Sequence, residues 1–126
     1  MDIRKKQKAV VAALEEIKAT DVSAFNVTHL TGLFDRVIIA SAESARQTKA
    51  LARSVQDKMA ELDQRVYGIE GEDVGDWVLV DLGDIIVHIM QPAIRTHYNL
   101  EELWDRPAPR VRRPRAAKAD PARASA

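Results

Sequence analysis

The stretch GDWVLVDLGDIIVHIMQPAIRTHYNLEELW, residues 75–104, decides the fold of this chain. Its runs Trp77–Asp81 and Ile85–Met90 are rich in β-branched and apolar residues, which is typical of strands. Gly83 stands in the three-residue connection between them, where a hairpin needs a residue in the left-handed conformation. The stretch therefore predicts a β-hairpin. Because both runs are apolar nearly throughout, we expect helices to bury both faces of the sheet.

The rest of the chain shows two helical patterns and three further strand patterns. Apolar residues recur three, four and seven positions apart over residues 2–19 and 45–63, as on one face of a helix. Ser44 and Gln47 have the capping-box spacing that would begin the second helix. Short β-branched or aromatic runs predict strands at residues 22–28, 36–41 and 65–69.

Two short helices and a tail are predicted to follow the hairpin. Pro92 can begin a helix, because its missing N–H would have no helical partner there, and Asn99 and Glu102 have capping spacing for a last turn. Residues 106–126 are rich in Arg, Ala and Pro without apolar periodicity, which predicts a disordered basic tail after a folded domain of residues 1–105. The order of elements implies an α/β or α+β fold class, with a single mixed sheet of about five strands flanked by helices.

The net charge of zero hides a strong asymmetry between two parts of the chain. Residues 106–126 hold seven basic residues and one acidic, a net charge of +6, whereas residues 1–105 carry −6. Within residues 70–105, Arg95 is the single basic residue. Nine residues there carry carboxylates: Glu70, Glu72, Asp73, Asp76, Asp81, Asp84, Glu101, Glu102 and Asp105. Such a region repels nucleic acid phosphates and attracts a basic protein surface. An acidic face that is merely solvated fits the same charges.

Cysteine and long apolar runs are both missing from the sequence. Without cysteine, disulfides and cysteine-based zinc sites are excluded, and a reducing compartment is allowed. No apolar run approaches the roughly 18–20 residues that cross a bilayer. The N-terminal segment has spaced apolar positions and acidic residues, as in an amphipathic helix rather than a secretion signal. We therefore expect a cytoplasmic protein.

Catalytic chemistry has one candidate, the pair Asp81 and Asp84 with His88 nearby. Two carboxylates near a strand end can hold a divalent cation, as in a metal-dependent nucleotidyltransferase. Against this alternative, the two aspartates straddle a turn, and the hairpin has no Gly-Ser dipeptide and no basic residue to balance phosphates. The three histidines lack ligand spacing, and no nucleophile elbow or glycine-rich phosphate loop is present. The prediction is a non-enzymatic protein without cofactor or metal.

Aromatic residues concentrate in the acidic part of the chain. Four of the six, Tyr67, Trp77, Tyr98 and Trp104, lie between residues 67 and 104. Trp and Tyr beside carboxylates suit a protein-binding hot spot, because they bury a large area and keep a polar group available. Filling the core is the alternative role, and for Trp104 it is equally consistent with the sequence.

Three spaced motifs lie within the stretch that decides the fold. They are Trp-x-x-x-Asp-x-Gly-Asp at 77–84, Ile-Val-His-Ile at 86–89 and Tyr-x-Leu-Glu-x-Leu-Trp at 98–104. Further matching residues extend the pattern over about residues 3–104, namely Glu70-Gly71, Gln91, Arg95 and Val-Ile-Ile-Ala-Ser-x-x-Ser-x-Arg-Gln at 37–47. Jointly, these residues resemble the ribosomal silencing factor family, also called RsfS or Iojap.

The resemblance implies an α/β domain that is distantly similar to nucleotidyltransferases and has no enzymatic activity. It implies binding to the L-fourteen protein of the large ribosomal subunit, obstruction of small-subunit joining, repression of translation under nutrient limitation, and a homodimer of the free protein. The residues expected to bind the partner are Glu70, Trp77, Asp81, Asp84, His88, Arg95 and Tyr98. The family offers no counterpart for the basic tail. For the tail, a weak contact with ribosomal RNA and a dispensable solvated role both stay open.

Overall fold

The computed structural model describes residues 1–105, which form four helices and five strands. In chain order these are α1 (Ile3–Glu16), β1 (Thr20–Asn26), β2 (Arg36–Ser41), α2 (Ala45–Glu61), β3 (Gly68–Glu70), β4 (Trp77–Asp81), β5 (Ile85–Met90), α3 (Pro92–Tyr98) and α4 (Leu100–Trp104). The predicted tail, residues 106–126, lies outside the described residues, so its boundary stays a prediction. No helix within residues 1–105 is long and apolar enough to cross a membrane.

One mixed sheet of five strands organises the fold, in the order β1-β2-β5-β4-β3. The central pair, β2 and β5, is parallel, and the other three pairs are antiparallel. A parallel pair needs a crossover connection, and here the segment between β2 and β5 contains α2, β3 and β4. The sequence prediction of a mixed five-strand sheet flanked by helices is confirmed.

The larger hydrophobic core lies between the sheet and the two long helices. Helices α1 and α2 bury Leu14 and Leu51 completely, against Val80 and Val87 of the sheet. The two helices are also joined by a hydrogen bond from the Ser54 hydroxyl to the carbonyl of Ala13 at 2.9 Å. Burial of leucine and valine side chains of this kind contributes about 1.5–3 kcal/mol each. This layer supplies most of the apolar burial on which the fold depends.

The opposite face of the sheet has a smaller core that covers only part of it. Val27, Val37, Ile39 and Met90 are fully buried there. Side chains of α3, α4 and the β1–β2 loop pack on them, namely Leu30, Phe34, Ile94, Leu100 and Trp104. Along β4, buried and half-buried residues alternate, because only one face of that strand is covered. The expectation that helices bury both faces is therefore wrong for β4.

Element boundaries depart from the predictions at α1, β1, α2 and β3, and α2 ends at Glu61 rather than at residue 63. Helix α1 ends at Glu16 rather than at residue 19, because Lys18 takes a left-handed φ of 68°. Strand β1 covers Thr20–Asn26 rather than residues 22–28, and its pairing with β2 shifts between Thr20 and Ser23, around the left-handed Asp21. Strand β3 begins at residue 68 instead of 65. Strands β2, β4 and β5 have the predicted bounds.

The two predicted capping boxes have different outcomes. The Ser44 hydroxyl accepts from the N–H of Gln47 at 3.1 Å, which confirms the start of α2. The Gln47 amide oxygen bonds back to the N–H of Glu43 at 2.7 Å, one residue before the cap. Asn99 instead takes a left-handed φ of 46°, ends α3 and makes no side-chain cap bond. The prediction of a capping box at residue 99 is wrong, because that residue forms the corner between two short helices.

Replacement of Gly71 by alanine should destabilise the fold. Gly71 has a φ of +88°, and an added Cβ would overlap the backbone carbonyl of Trp77. Left-handed strain and this overlap together should lower the free energy of unfolding by more than about 2 kcal/mol. Gly32→Ala is the matched control, because no atom lies within 4 Å of its added Cβ. Urea unfolding of both variants measures the difference, and equal stabilities would contradict the described loop geometry.

Candidate functional site

The candidate site lies on the sheet face opposite α1 and α2, and strand pairing defines its residues. Directly paired residues point to the same face, so Glu70, Leu79 and His88 form one row across β3, β4 and β5. Asp81 and Ile86 pair in the neighbouring row of β4 and β5. Helices α3 and α4 cover the β1–β2 side of this face. None of the buried residues of the smaller core lies on β3 or β4, so that side is uncovered.

Trp77, His88 and Tyr98 come together at the boundary between the covered and the uncovered side. The indole N–H of Trp77 donates to Nδ1 of His88 at 3.0 Å. The ring of Tyr98 lies 4.9 Å from that of Trp77, and its side chain is 52% exposed. Trp77 itself is half-buried and packs on the smaller core. The structure therefore unites three of the seven residues that the sequence pointed to.

His88 is held in its neutral form. Burial lowers its pKa from 6.5 to about 4, because a charged imidazole loses its hydration there. An indole N–H can only donate, so Nδ1 of His88 is the acceptor and the neutral ring carries its proton on Nε2. The role of His88 in this arrangement is to orient Trp77. His88 is only 8% exposed, so it can offer a partner little contact area of its own.

Leu79 and Ile86 form the apolar centre of the uncovered side. Both are half-buried, and within residues 1–105 neither belongs to the two core clusters. Exposed Glu70 and half-buried Asp81 flank them. We call Glu70, Trp77, Leu79, Asp81 and Ile86 the open surface. Leu79 and Ile86 were not among the residues predicted from the sequence, because the pairing of β4 with β5 decides which of their side chains share a face.

Asp81 and Asp84 do not form a joint site. The carboxylate of Asp81 accepts from the N–H of Gly83 at 2.8 Å and closes the turn. The carboxylate of Asp84 accepts from Nζ of Lys6 at 2.7 Å, and that lysine, on α1, also donates to the carbonyl of Leu82 at 3.2 Å. No group of three metal-binding side chains occurs in the part of the chain that the structure describes. Each aspartate already has a structural role, and Asp84 stands apart from the open surface.

Arg95 is engaged inside the chain. Its Nε donates to Oε2 of Glu101 at 2.7 Å, and one terminal nitrogen donates to the carbonyl of Asp21 at 2.6 Å and the hydroxyl of Ser41 at 2.8 Å. The other terminal nitrogen lies 3.4 Å from the hydroxyl of Ser23. The side chain is 11% exposed. Arg95 thus fixes α3 and α4 to β1 and β2 and supports Tyr98 indirectly.

Most carboxylates of residues 70–105 have no cationic partner among residues 1–105. Two of the nine in residues 70–105 form ion pairs, Asp84 with Lys6 and Glu101 with Arg95. Seven have no ion-pair partner among residues 1–105: Glu70, Glu72, Asp73, Asp76, Asp81, Glu102 and Asp105. Glu70 and Asp81 therefore place negative charge without an ion-pair partner on the open surface, which favours a basic partner.

Comparisons with known proteins agree on one family. The sequence profile described as "Ribosomal silencing factor during starvation" matches residues 1–126. A Chromobacterium violaceum protein named ribosomal silencing factor RsfS is 47% identical over 104 residues, which are 82% of this chain and 85% of that protein. A mouse protein named mitochondrial assembly of ribosomal large subunit protein 1 is 32% identical over 98 residues, 75% of this chain and 43% of the mouse protein. A crystal structure of a Chromobacterium violaceum protein superposes with a TM-score of 0.82 at 43% identity, covering 94% of this chain and 95% of that one.

Replacement of Arg95 by lysine should loosen α3 and α4. Lysine keeps the charge but cannot donate in three directions from a planar group, so several bonds would be lost. We expect the free energy of unfolding to fall by about 2–3 kcal/mol. Arg53→Lys, on the exposed side of α2, is the matched control and should change it by less than about 0.5 kcal/mol. Urea unfolding measures the free energies of both variants. An Arg95→Lys variant as stable as the control would contradict the role of Arg95 in fixing α3 and α4 to β1 and β2.

Acidification should destabilise the protein through His88. The unfolded histidine binds a proton near pH 6.5, whereas the folded one stays neutral down to about pH 4. The unfolded state therefore binds more protons in this window, so stability falls as the pH falls, by at most about 3 kcal/mol. Urea unfolding between pH 7.5 and 4 should show a shallower decline for His88→Gln than for wild type. A difference between the two proteins that is constant with pH would contradict the buried neutral histidine.

Proposed function

Because the chain belongs to the ribosomal silencing factor family, we propose that its open surface binds the L-fourteen protein of the large ribosomal subunit. The bound domain occupies space that the small subunit needs for joining. Joining is thereby blocked, and translation is repressed when nutrients are limiting. The mouse relative's name, which refers to assembly of the ribosomal large subunit, supports the large subunit as the partner.

The observation that carries this proposal is an apolar strip with an acidic border on a half-covered sheet. Leu79 and Ile86 supply apolar area, and Trp77 with Tyr98 supplies aromatic groups at one end. Interfaces combine such an apolar centre with a polar rim. Glu70 at the rim adds a negative charge, which suits ribosomal proteins because these are mostly basic.

In the proposed function, the site binds a partner and carries no catalytic residues. Asp81 closes its own turn and Asp84 is paired with Lys6, so each aspartate has a structural contact, and no group of three metal-binding side chains occurs among residues 1–105. The proposed action also implies a cytoplasmic location, where ribosomes work. A homodimer of the free chain stays a prediction from the family resemblance, and sedimentation equilibrium of the purified protein would measure it.

Two variants test the open surface in co-sedimentation with isolated large subunits. Trp77→Ala removes an aromatic anchor and should weaken binding by about 2–4 kcal/mol. Glu70→Lys reverses an exposed charge at the rim and should weaken binding by on the order of tenfold. Circular dichroism establishes that each variant is folded.

Glu16→Lys is the matched control for Glu70→Lys. It makes the same change of charge at an exposed position of α1, in the layer on the other side of the sheet. We expect this control to sediment with large subunits as wild type does. If Glu70→Lys and Glu16→Lys bind equally well, and a folded Trp77→Ala binds like wild type, the assigned surface is wrong.

A further inference from the structure

We propose that the basic segment 106–126 of the chain docks on the open surface and competes there with the ribosomal partner. The docking itself is independent of the partner's identity, whereas the competition rests on the proposed function. The occupant is a segment of this same chain, and three observations support it: the place where the segment begins, its charge, and its length.

Helix α4, which precedes the segment in the chain, lies on the same side of the sheet as the open surface. It follows Asp105, directly after α4, whose Trp104 packs edge-on against Phe34 at 5.5 Å between ring centroids. Both rings pack on the smaller core, which includes Val37 of β2. The helix layer of α1 and α2 lies on the other face. The described chain therefore ends, at Asp105, next to the helix that packs on the half-covered face.

Strand pairing gives the separation between Val37 of the smaller core and the open surface. Ile86 of β5 is the direct partner of Val37, and Asp81 of β4 is the direct partner of Ile86. Neighbouring strands lie about 4.8 Å apart, so Ile86 and Asp81 follow Val37 at about 5 and 10 Å. A chain of 21 residues spans about 70 Å when extended and about 25 Å on average when flexible. The segment can reach every residue of the open surface.

Charge favours the open surface over the helix layer. The segment has a net charge of +6, from Asp120 and seven basic residues: Arg106, Arg110, Arg112, Arg113, Arg115, Lys118 and Arg123. Seven carboxylates of residues 70–105 have no ion-pair partner among residues 1–105. Helices α1 and α2 instead expose six cations, Arg4, Lys5, Lys8, Arg46, Lys49 and Arg53, against four carboxylates, Glu15, Glu16, Asp57 and Glu61. The carboxylates near the open surface therefore attract the basic segment, whereas the net positive charge of the helix layer repels it.

Attachment to the same chain makes a weak attraction effective. A short tether holds the segment at an effective concentration of the order of millimolar, so modest affinity is enough for occupancy. A partner must then displace the segment, and the apparent affinity falls by the fraction of chains whose surface is free. The segment would thus set how strongly this protein binds a basic partner, and salt would weaken the self-contact.

Nuclear magnetic resonance on the full chain tests the docking directly. The test variant replaces Arg110, Arg112, Arg113 and Arg115 by glutamine. The matched control removes the same charge from the helix layer with Lys5→Gln, Lys8→Gln, Lys49→Gln and Arg53→Gln. At low salt, signals of the Trp77 indole and of the Leu79 and Ile86 amides should move in the test variant and not in the control. Wild type in about 0.5 M salt should show the same movement.

Binding to large subunits tests the competition. The test variant should bind about threefold to tenfold more tightly than wild type, since its open surface is free more often. Weaker binding by the test variant would overturn the competition and indicate a contact of the segment with ribosomal RNA. Unchanged open-surface signals in the test variant would overturn the docking. If no protein binds large subunits, the proposed function fails, while the resonance comparison still decides the docking.

Discussion

The register of the β4–β5 hairpin is the constraint on which the rest of the structure depends. Gly83 takes the left-handed conformation, with a φ of +89°, and the N–H of Leu82 donates to the carbonyl of Ile85 at 2.9 Å. This turn fixes which residues of the two strands lie opposite each other. Val80 and Val87 then share the face that α1 and α2 bury, while Asp81 and Ile86 share the other. Because the side-chain period of a strand is two, a slip of one residue would exchange the two faces completely.

The open surface exists because the second layer of the fold is small and anchored to one side. Helices α3 and α4 have seven and five residues, which is too little to cover five strands. Arg95 holds them near β1 and β2 through Asp21, Ser23 and Ser41. The sheet beyond Trp77 is left with apolar side chains that only a further chain segment or another molecule can bury. A half-covered sheet of this kind is a natural place for a binding function.

Charge gives this surface its selectivity. The hydrogen bond from Trp77 to a neutral His88 fixes an aromatic group without adding a positive charge, so the surroundings remain negative. Lys6 and Arg95 form structural ion pairs. Most of the other cations of residues 1–105 lie on α1 and α2, whereas exposed Arg65 packs on the ring of Tyr67 at 4.5 Å. Under the proposed function, the negative charge of the open surface would steer a basic partner towards it.

The sequence by itself determined the sheet class, the hairpin with its glycine turn, the cap of α2 at Ser44 and the acidic, aromatic character of residues 70–105. These features depend on propensities and spacings within a few residues, which a sequence displays directly. Only the tertiary structure decided that Leu79 and Ile86 are uncovered, that Arg95 faces inward and that Asp84 pairs with Lys6, 78 positions away. Such facts follow from which distant segments pack together, and no local pattern encodes them. The structure therefore divided the seven residues indicated by sequence into a surface group around Trp77 and a structural group that supports it.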